Sequence, residues 1–210
     1  MYKKPQIVHV DDPNALALSV EALEKGGVIL YPTDTVYGLG ADATNAEAVV
    51  KINKIKGRDD SKSFLVMLPN VSALEVYGEV NSTARALANK FLPGPLALVL
   101  QSKGDVLAAV QSEERSVGFR VPNNTFCLAL GELFKKPIVS TSANISGRTQ
   151  QRTVHSILEQ LGNRVCDIDL VIDAGACVSG TPSTIMEVNK KEIKILRKGA
   201  VSESDLSEFL

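Results

Sequence analysis

Short apolar runs of strand length recur along this chain, and segments with helical spacing separate them. FLVMLP (64–69) is continuous and apolar, the pattern of a strand buried on both faces. VILYPT (28–33), LGADA (39–43), LALVLQS (96–102), SVGFRVP (116–122), PIVSTSA (137–143), LVIDAG, STIMEV and EIKILRKG read as further strands. Between them, 14–25 carries Leu16, Val20 and Leu23 at helical spacing and stops at Gly26-Gly27. AEAVVKINKIK reads as a helix running to Gly57, and Thr44 with Glu47 three residues later predicts a capping box at its start. SALEVYG, STARALANKF, TFCLALGELFK, VHSILEQLG and SESDLSEFL are the other helical segments, and Pro93-Gly94-Pro95 breaks the chain sharply. Helices alternating with strands throughout predict an α/β (α+β) domain. The short link between STIMEV and EIKILRKG predicts an antiparallel hairpin, so the sheet is expected to be mixed. At 210 residues, with no linker or repeat, a single domain over 1–210 is expected.

Composition excludes several classes. The net charge is −1, so any anion site must come from a local cluster. The three cysteines, Cys127, Cys166 and Cys177, are odd in number, widely spaced and form no CxxC, which fits a reducing compartment. His9 and His155 are the only histidines and neither neighbours a cysteine, so a His/Cys metal centre is not expected. The first residues, MYKKPQIVHVDD, lack an apolar signal core, and no run approaches the ~18 apolar residues of a membrane span. A cytoplasmic location is the expectation.

Four polar clusters lie at strand or helix ends, where ligands of open α/β sheets collect. The first is YPTDTVYGLG, with Thr33 and Thr35 alternating onto one face if the strand continues and Asp34 facing away. Its Gly38 and Gly40 suit a turn or a close approach of backbone to ligand, but the string does not complete a dinucleotide fingerprint. The second, Lys54 to Lys62, holds Lys56, Arg58 and Lys62 between a helix end and a core strand, fixed counter-charges of the kind a polyphosphate needs. The third is Ser140, Thr141, Ser142 and Asn144, with the two serines on one strand face. The fourth joins SGTPST, with Ser183, to Arg197-Lys198-Gly199.

Read together and in order, YPTDTVYGLGADA, KGRDDSKSFLVML, LPGPLALVL, SVGFRVP, PIVSTSANISG, PSTI and LRKG resemble the YrdC-like family over about 26–199. That family includes the threonylcarbamoyl-AMP synthases. The resemblance implies a twisted mixed sheet with helices around a concave, basic cavity. It also implies the reaction of L-threonine, bicarbonate and ATP to threonylcarbamoyl-adenylate and pyrophosphate. The product would feed N6-threonylcarbamoyladenosine formation on tRNAs that read ANN codons.

Carried over by position, Thr35 would contact threonine with Thr33 beside it, and Arg120 would take its carboxylate. Arg58 and Lys62 would lie on ATP phosphates with Lys56 nearby. Ser116 and Arg197 would face the nucleotide, Ser140, Ser142 and Asn144 its junction with threonine, and Ser183 the threonine. Lys56 and Arg58 are the implied catalytic charges, with Mg²⁺ carried by the nucleotide and no protein metal site. Many members have histidine where this chain has Met67, proline at Thr141, and some an asparagine at Lys62. The resemblance further implies a short form without the extra C-terminal domain of longer relatives, and product transfer to a tRNA threonylcarbamoyl-transfer machinery with weak direct tRNA contact. The rival reading is a paralogue that holds RNA or nucleotide without making the adenylate. Some relatives of that kind lack the SAN segment, which this chain keeps at 142–144.

Overall fold

The computed structural model describes residues 4–57, 64–104, 107–177, 180–189 and 193–209. Ten strands form one sheet: β1 (Gln6–His9), β2 (Ile29–Tyr31), β3 (Gly38–Asp42), β4 (Leu65–Met67), β5 (Leu96–Gln101), β6 (Ser116–Arg120), β7 (Ile138–Ser142), β8 (Leu170–Asp173), β9 (Thr184–Val188) and β10 (Ile193–Arg197). Their order is β1-β8-β2-β3-β7-β4-β6-β5-β9-β10. Four neighbour pairs are parallel and five antiparallel, including the β9–β10 hairpin. The sheet is therefore mixed, as the short link before EIKILRKG predicts.

The helices are α1 (Ala15–Glu24), α2 (Ala46–Lys56), α3 (Leu74–Tyr77), α4 (Ser82–Phe91), α5 (Thr125–Phe134), α6 (Val154–Leu161) and α7 (Glu203–Leu206). The start of α2 differs from the expected capping box. Asn45 is the cap, its side chain accepting from the Glu47 and Ala48 N–H groups, while the Thr44 hydroxyl donates to Asp42 at 2.6 Å. Asn45 has the better reach because the helix begins one residue later than the T-x-x-E pattern suggests. Among the described residues no helix is long and apolar enough to cross a membrane.

Alternation along the strands divides the core in two. Leu39, Val66, Leu98, Val117, Phe119 and Val139 pack with Ile52 and Ile55 of α2 and Leu87 of α4 on one face. Ile29, Tyr31, Met67, Ile138 and Ile172 pack with Leu23 of α1 and Phe126, Leu130 and Phe134 of α5 on the other. The second helical layer stops partway across the sheet. Beyond it, Leu65, Val99, Gly118 and Ile185 floor a hollow on that same face. Gly118 keeps the floor low, since a Cβ there would lie 2.4 Å from Leu65 Cδ2.

Candidate active site

The hollow is a cavity of about 290 Å³, and polar groups from distant parts of the chain converge on it. Thr33, Thr35, Arg120, Ser140, Ser142, Ser183 and Arg197 all line it. Lys56, Ser116 and Asn144 do not. Arg58 and Lys62 lie outside the described residues, although Phe64, just after them, lines the cavity.

The strand of YPTDT ends at Tyr31, earlier than alternation through Thr35 would require. A turn brings the threonines together instead. Thr33 Oγ1 donates to the Val36 carbonyl at 2.6 Å and accepts from the Thr35 and Val36 N–H groups. The two threonine hydroxyls then stand 3.1 Å apart. Two thiols brace the loop: Cys127 donates to the Pro32 carbonyl at 3.3 Å and Cys177 to the Thr35 carbonyl at 2.8 Å. Asp34, expected to point away, faces the Arg120 guanidinium in a short ion pair and accepts from the Asn123 N–H at 3.1 Å. The turn reverses the alternation that placed it outside.

Arg120 joins three segments. Its Nη1 donates to Thr35 Oγ1 at 2.9 Å, its Nη2 to Asp34, and its Nε to the Gly94 carbonyl at 3.1 Å. The Pro93-Gly94-Pro95 bend thus supplies an acceptor that fixes the guanidinium. Arg197 closes the cavity beside it. A β-bulge between Ile195 and Arg197 sets Arg197 opposite Ile185, a floor residue. Its Nε and Nη2 donate to the Ser183 carbonyl at 3.1 and 2.8 Å, and Nη2 also to Ser183 Oγ at 3.1 Å. Burial, and then the nearby Arg120 charge, hold the Arg197 guanidinium below its ordinary pKa. With Arg120 committed to Asp34, Arg197 brings cationic character to the cavity wall that an anion would relieve.

Tyr31 escaped the sequence reading, though a signal for it was present. Its ring lies against β3, where a Cβ on Gly40 would approach Tyr31 Cε1 to 2.8 Å and one on Gly38 to 3.2 Å. The two glycines of GLG therefore seat a ring, and neither has a positive φ. The Tyr31 phenol donates to Ser140 Oγ at 2.8 Å and lies 3.9 Å from Met67 Sδ. Gln150 lines the cavity, whereas Tyr31 stands behind Ser140; no signal in the sequence separates Gln150 from a surface loop residue.

Ser116 and Asn144, expected at the nucleotide, and Lys56, expected as a catalytic charge, stand outside the cavity lining. Ser116 opens β6, two residues before Gly118 of the floor, with its hydroxyl 2.8 Å from Ser112 Oγ. Lys56 is buried, and its ammonium turns toward the end of β7 and donates to the Ser142 carbonyl at 2.5 Å and the Asn144 carbonyl at 3.0 Å.

The family model Sua5/YciO/YrdC, described as "telomere recombination", matches residues 21–199. The chain is 33% identical over 187 residues to a threonylcarbamoyl-AMP synthase of Vibrio cholerae, covering 88% of this chain and 97% of that one. It is 30% identical to the uncharacterized protein YciO of Escherichia coli, covering 97% of each. A crystal structure of Pyrococcus abyssi Sua5 complexed with L-threonine superposes with a TM-score of 0.86 at 29% identity, over 99% of this chain and 61% of that one. The E. coli YciO structure superposes with a TM-score of 0.85 over the whole of both chains at 28% identity. The chain thus spans little more than half of some longer relatives, 55% of the P. abyssi synthase, and nearly all of others. By sequence and by its YrdC-like fold, it belongs to the Sua5/YciO/YrdC family.

Proposed function

We propose that this chain is an L-threonylcarbamoyladenylate synthase, making threonylcarbamoyl-AMP and pyrophosphate from L-threonine, bicarbonate and ATP. The observation that carries the reading is the convergence of Thr35, Ser140, Ser142 and Ser183 with Arg120 and Arg197 on one cavity. Clustered hydroxyls suit a small zwitterion, and a guanidinium suits its carboxylate or a phosphate. A relative of the same fold has been crystallised with L-threonine, and relatives at 32–35% identity carry the synthase name.

In this reading the threonine amine and bicarbonate give N-carboxythreonine and water. A carbamate oxygen then attacks the α-phosphorus of ATP, and pyrophosphate leaves in line. The protein supplies no nucleophile. It positions the two substrates over the Leu65–Val99–Gly118 floor and stabilises charge with Arg197, and with Arg58 and Lys62 reaching the phosphates. Among the described lining residues none is a carboxylate, so Mg²⁺ would arrive with the nucleotide rather than on a protein ligand set. The labile product would pass to a tRNA threonylcarbamoyl-transfer machinery.

The test is mass detection of threonylcarbamoyl-adenylate from purified protein, with pyrophosphate release measured as each substrate is omitted. Release must require both threonine and bicarbonate. Release that continues without threonine overturns the scheme. Salt-steep binding of tRNA without adenylate formation would instead favour a nucleic-acid-binding module.

A further inference from the structure

The two edges of the sheet differ. β10 closes one side and is blunted in two ways: it carries Lys194 and Arg197, and a β-bulge shifts its register between Ile195 and Arg197. β1 closes the other side and has neither device. Its four residues, Gln6-Ile7-Val8-His9, include no lysine, arginine, aspartate or glutamate, and they pair with Leu170 to Asp173 of β8 in unbroken register. An open edge of this kind is a template for a further strand.

Hydrogen-bond direction defines what that strand must offer. The Gln6 and Val10 N–H groups donate to the Asp169 and Asp173 carbonyls, so Gln6 and Val8 face β8 while Ile7 and His9 face the free edge. Among the described residues the Ile7 N–H, the Ile7 carbonyl and the His9 N–H have no backbone partner. The His9 carbonyl is already taken, accepting from the Asp12 N–H at 3.0 Å. Alternation carried one residue back puts the Pro5 carbonyl on the same edge, and proline has no N–H to give. An antiparallel second copy centred on Ile7 matches this edge group for group. The two Ile7 residues exchange both N–H···O bonds, and each His9 N–H donates to the partner's Pro5 carbonyl. The donor that Pro5 lacks falls opposite the acceptor that His9 has already used. Moving the axis to Val8 would instead set the Ile7 N–H against the occupied His9 carbonyl.

The side chains support the same register. Ile7 is more than half exposed and belongs to neither core cluster. It stands at a groove of about 360 Å³ whose apolar walls are Pro5, Leu158, Val165 and Cys166. Pairing centred on Ile7 sets the two isoleucines directly opposite each other on one face of the joined sheet, with the two grooves adjoining across the axis. We propose that β1 is a self-association edge, through which two copies of this chain pair antiparallel about Ile7 and join their sheets into one. The contact is of the small, transient class that buries less than about 1,200 Å². It lies several strands from the cavity floor on β4, β5, β6 and β9, so pairing leaves the cavity open and is independent of the synthase reading.

Sedimentation equilibrium of the full chain, from about 10 to about 500 µM, tests this over the range of transient contacts. A dimer that grows with concentration is expected. Ile7→Lys and Ile7→Glu each set like charges across the axis and should weaken the dimer about tenfold. Mixing the two variants in equal amounts sets Lys against Glu and should restore it. Because Ile7 lies outside both core clusters, each variant should melt with the parent. Amide hydrogen exchange at Ile7 and His9 of the unsubstituted chain should slow as concentration rises, a readout that needs no variant. A chain that stays monomeric throughout the range overturns the proposal, as does exchange at these two amides that ignores concentration. So does a dimer that neither substitution weakens, or a mixture no more associated than its components, since Ile7 then does not meet its own copy.

Discussion

Arg120 holds the Thr35 hydroxyl at 2.9 Å while the same guanidinium pairs with Asp34, so one side chain fixes both residues of the loop. Arg120 and Asp34 have side chains 6% and 12% exposed. Breaking such a pair leaves a buried charge uncompensated, which costs about 3–5 kcal/mol. Arg120→Met should lower the stability measured by urea unfolding by about that amount. Arg120→Lys should recover only part of it, because an ammonium cannot span Gly94, Thr35 and Asp34 with one planar fork.

Gly40→Ala should destabilise the fold by about 1–3 kcal/mol through overpacking. The added Cβ would meet Tyr31 Cε1 at 2.8 Å and the Ile138 and Ile29 side chains at 3.2 Å. In a Tyr31→Leu background the same substitution should cost less, and a double-mutant cycle from denaturation midpoints would reveal the coupling.

Under the proposed synthase reading, Arg197→Met should reduce pyrophosphate-forming turnover about 100-fold, the usual scale for loss of one electrostatic donor. Arg197→Lys should not restore it. Both Nε and Nη2 of the fork are needed to hold the Ser183 carbonyl while the rest of the group faces the cavity. Steady-state kinetics of the two variants against the parent would decide it.

Alkali should unfold the protein through its buried phenols. Burial first, and then the charge of Asp173, push Tyr37 up to about 12 from the ordinary 10.0, and burial raises Tyr31 as well. A raised folded-state pKa means the unfolded chain gives up its proton first as pH rises. Stability is thus complete below pH 10 and falls between about 10 and 12, at about 1.4 kcal/mol per pH unit for each such group. Tyr37→Phe should flatten that decline in unfolding measurements across this range.

Asn45→Ala should cost about 1 kcal/mol, the value of a helix cap, and Thr44→Ala less. Thermal unfolding of the two single variants would rank them. The sequence pattern ranks them the other way.

Most of the architecture was legible because most strands are either continuously apolar or alternating, and α2 and α6 stop at a glycine. β1 was not legible, for a physical reason. Only Val8 of its four residues is buried, and Ile7 is 55% exposed, so no burial pattern marks it. The polar clusters of the site were legible one at a time, since each sits where a strand or helix ends. Their meeting depends on pairings such as Gly38 with Ser142 and Met67 with Arg120, which no local pattern encodes. The direction of Lys56 was hidden for the same reason, since its acceptor lies 86 residues away. Gly38 and Gly40 were visible as a motif, and Gly38 lines the cavity, but the ring they accommodate, seven residues upstream of the first, was not foreseen.

The last wall of the cavity is delivered by β9 and β10, through Ser183 just before one and Arg197 at the end of the other. Strand β9 docks in parallel along β5, made much earlier. A nascent chain leaving the ribosome therefore displays Thr35 and Ser142 for a long interval before the binding hollow exists. A ligand of this cavity could not template the early stages of folding, and its protection during biosynthesis would have to wait for the β9–β10 hairpin.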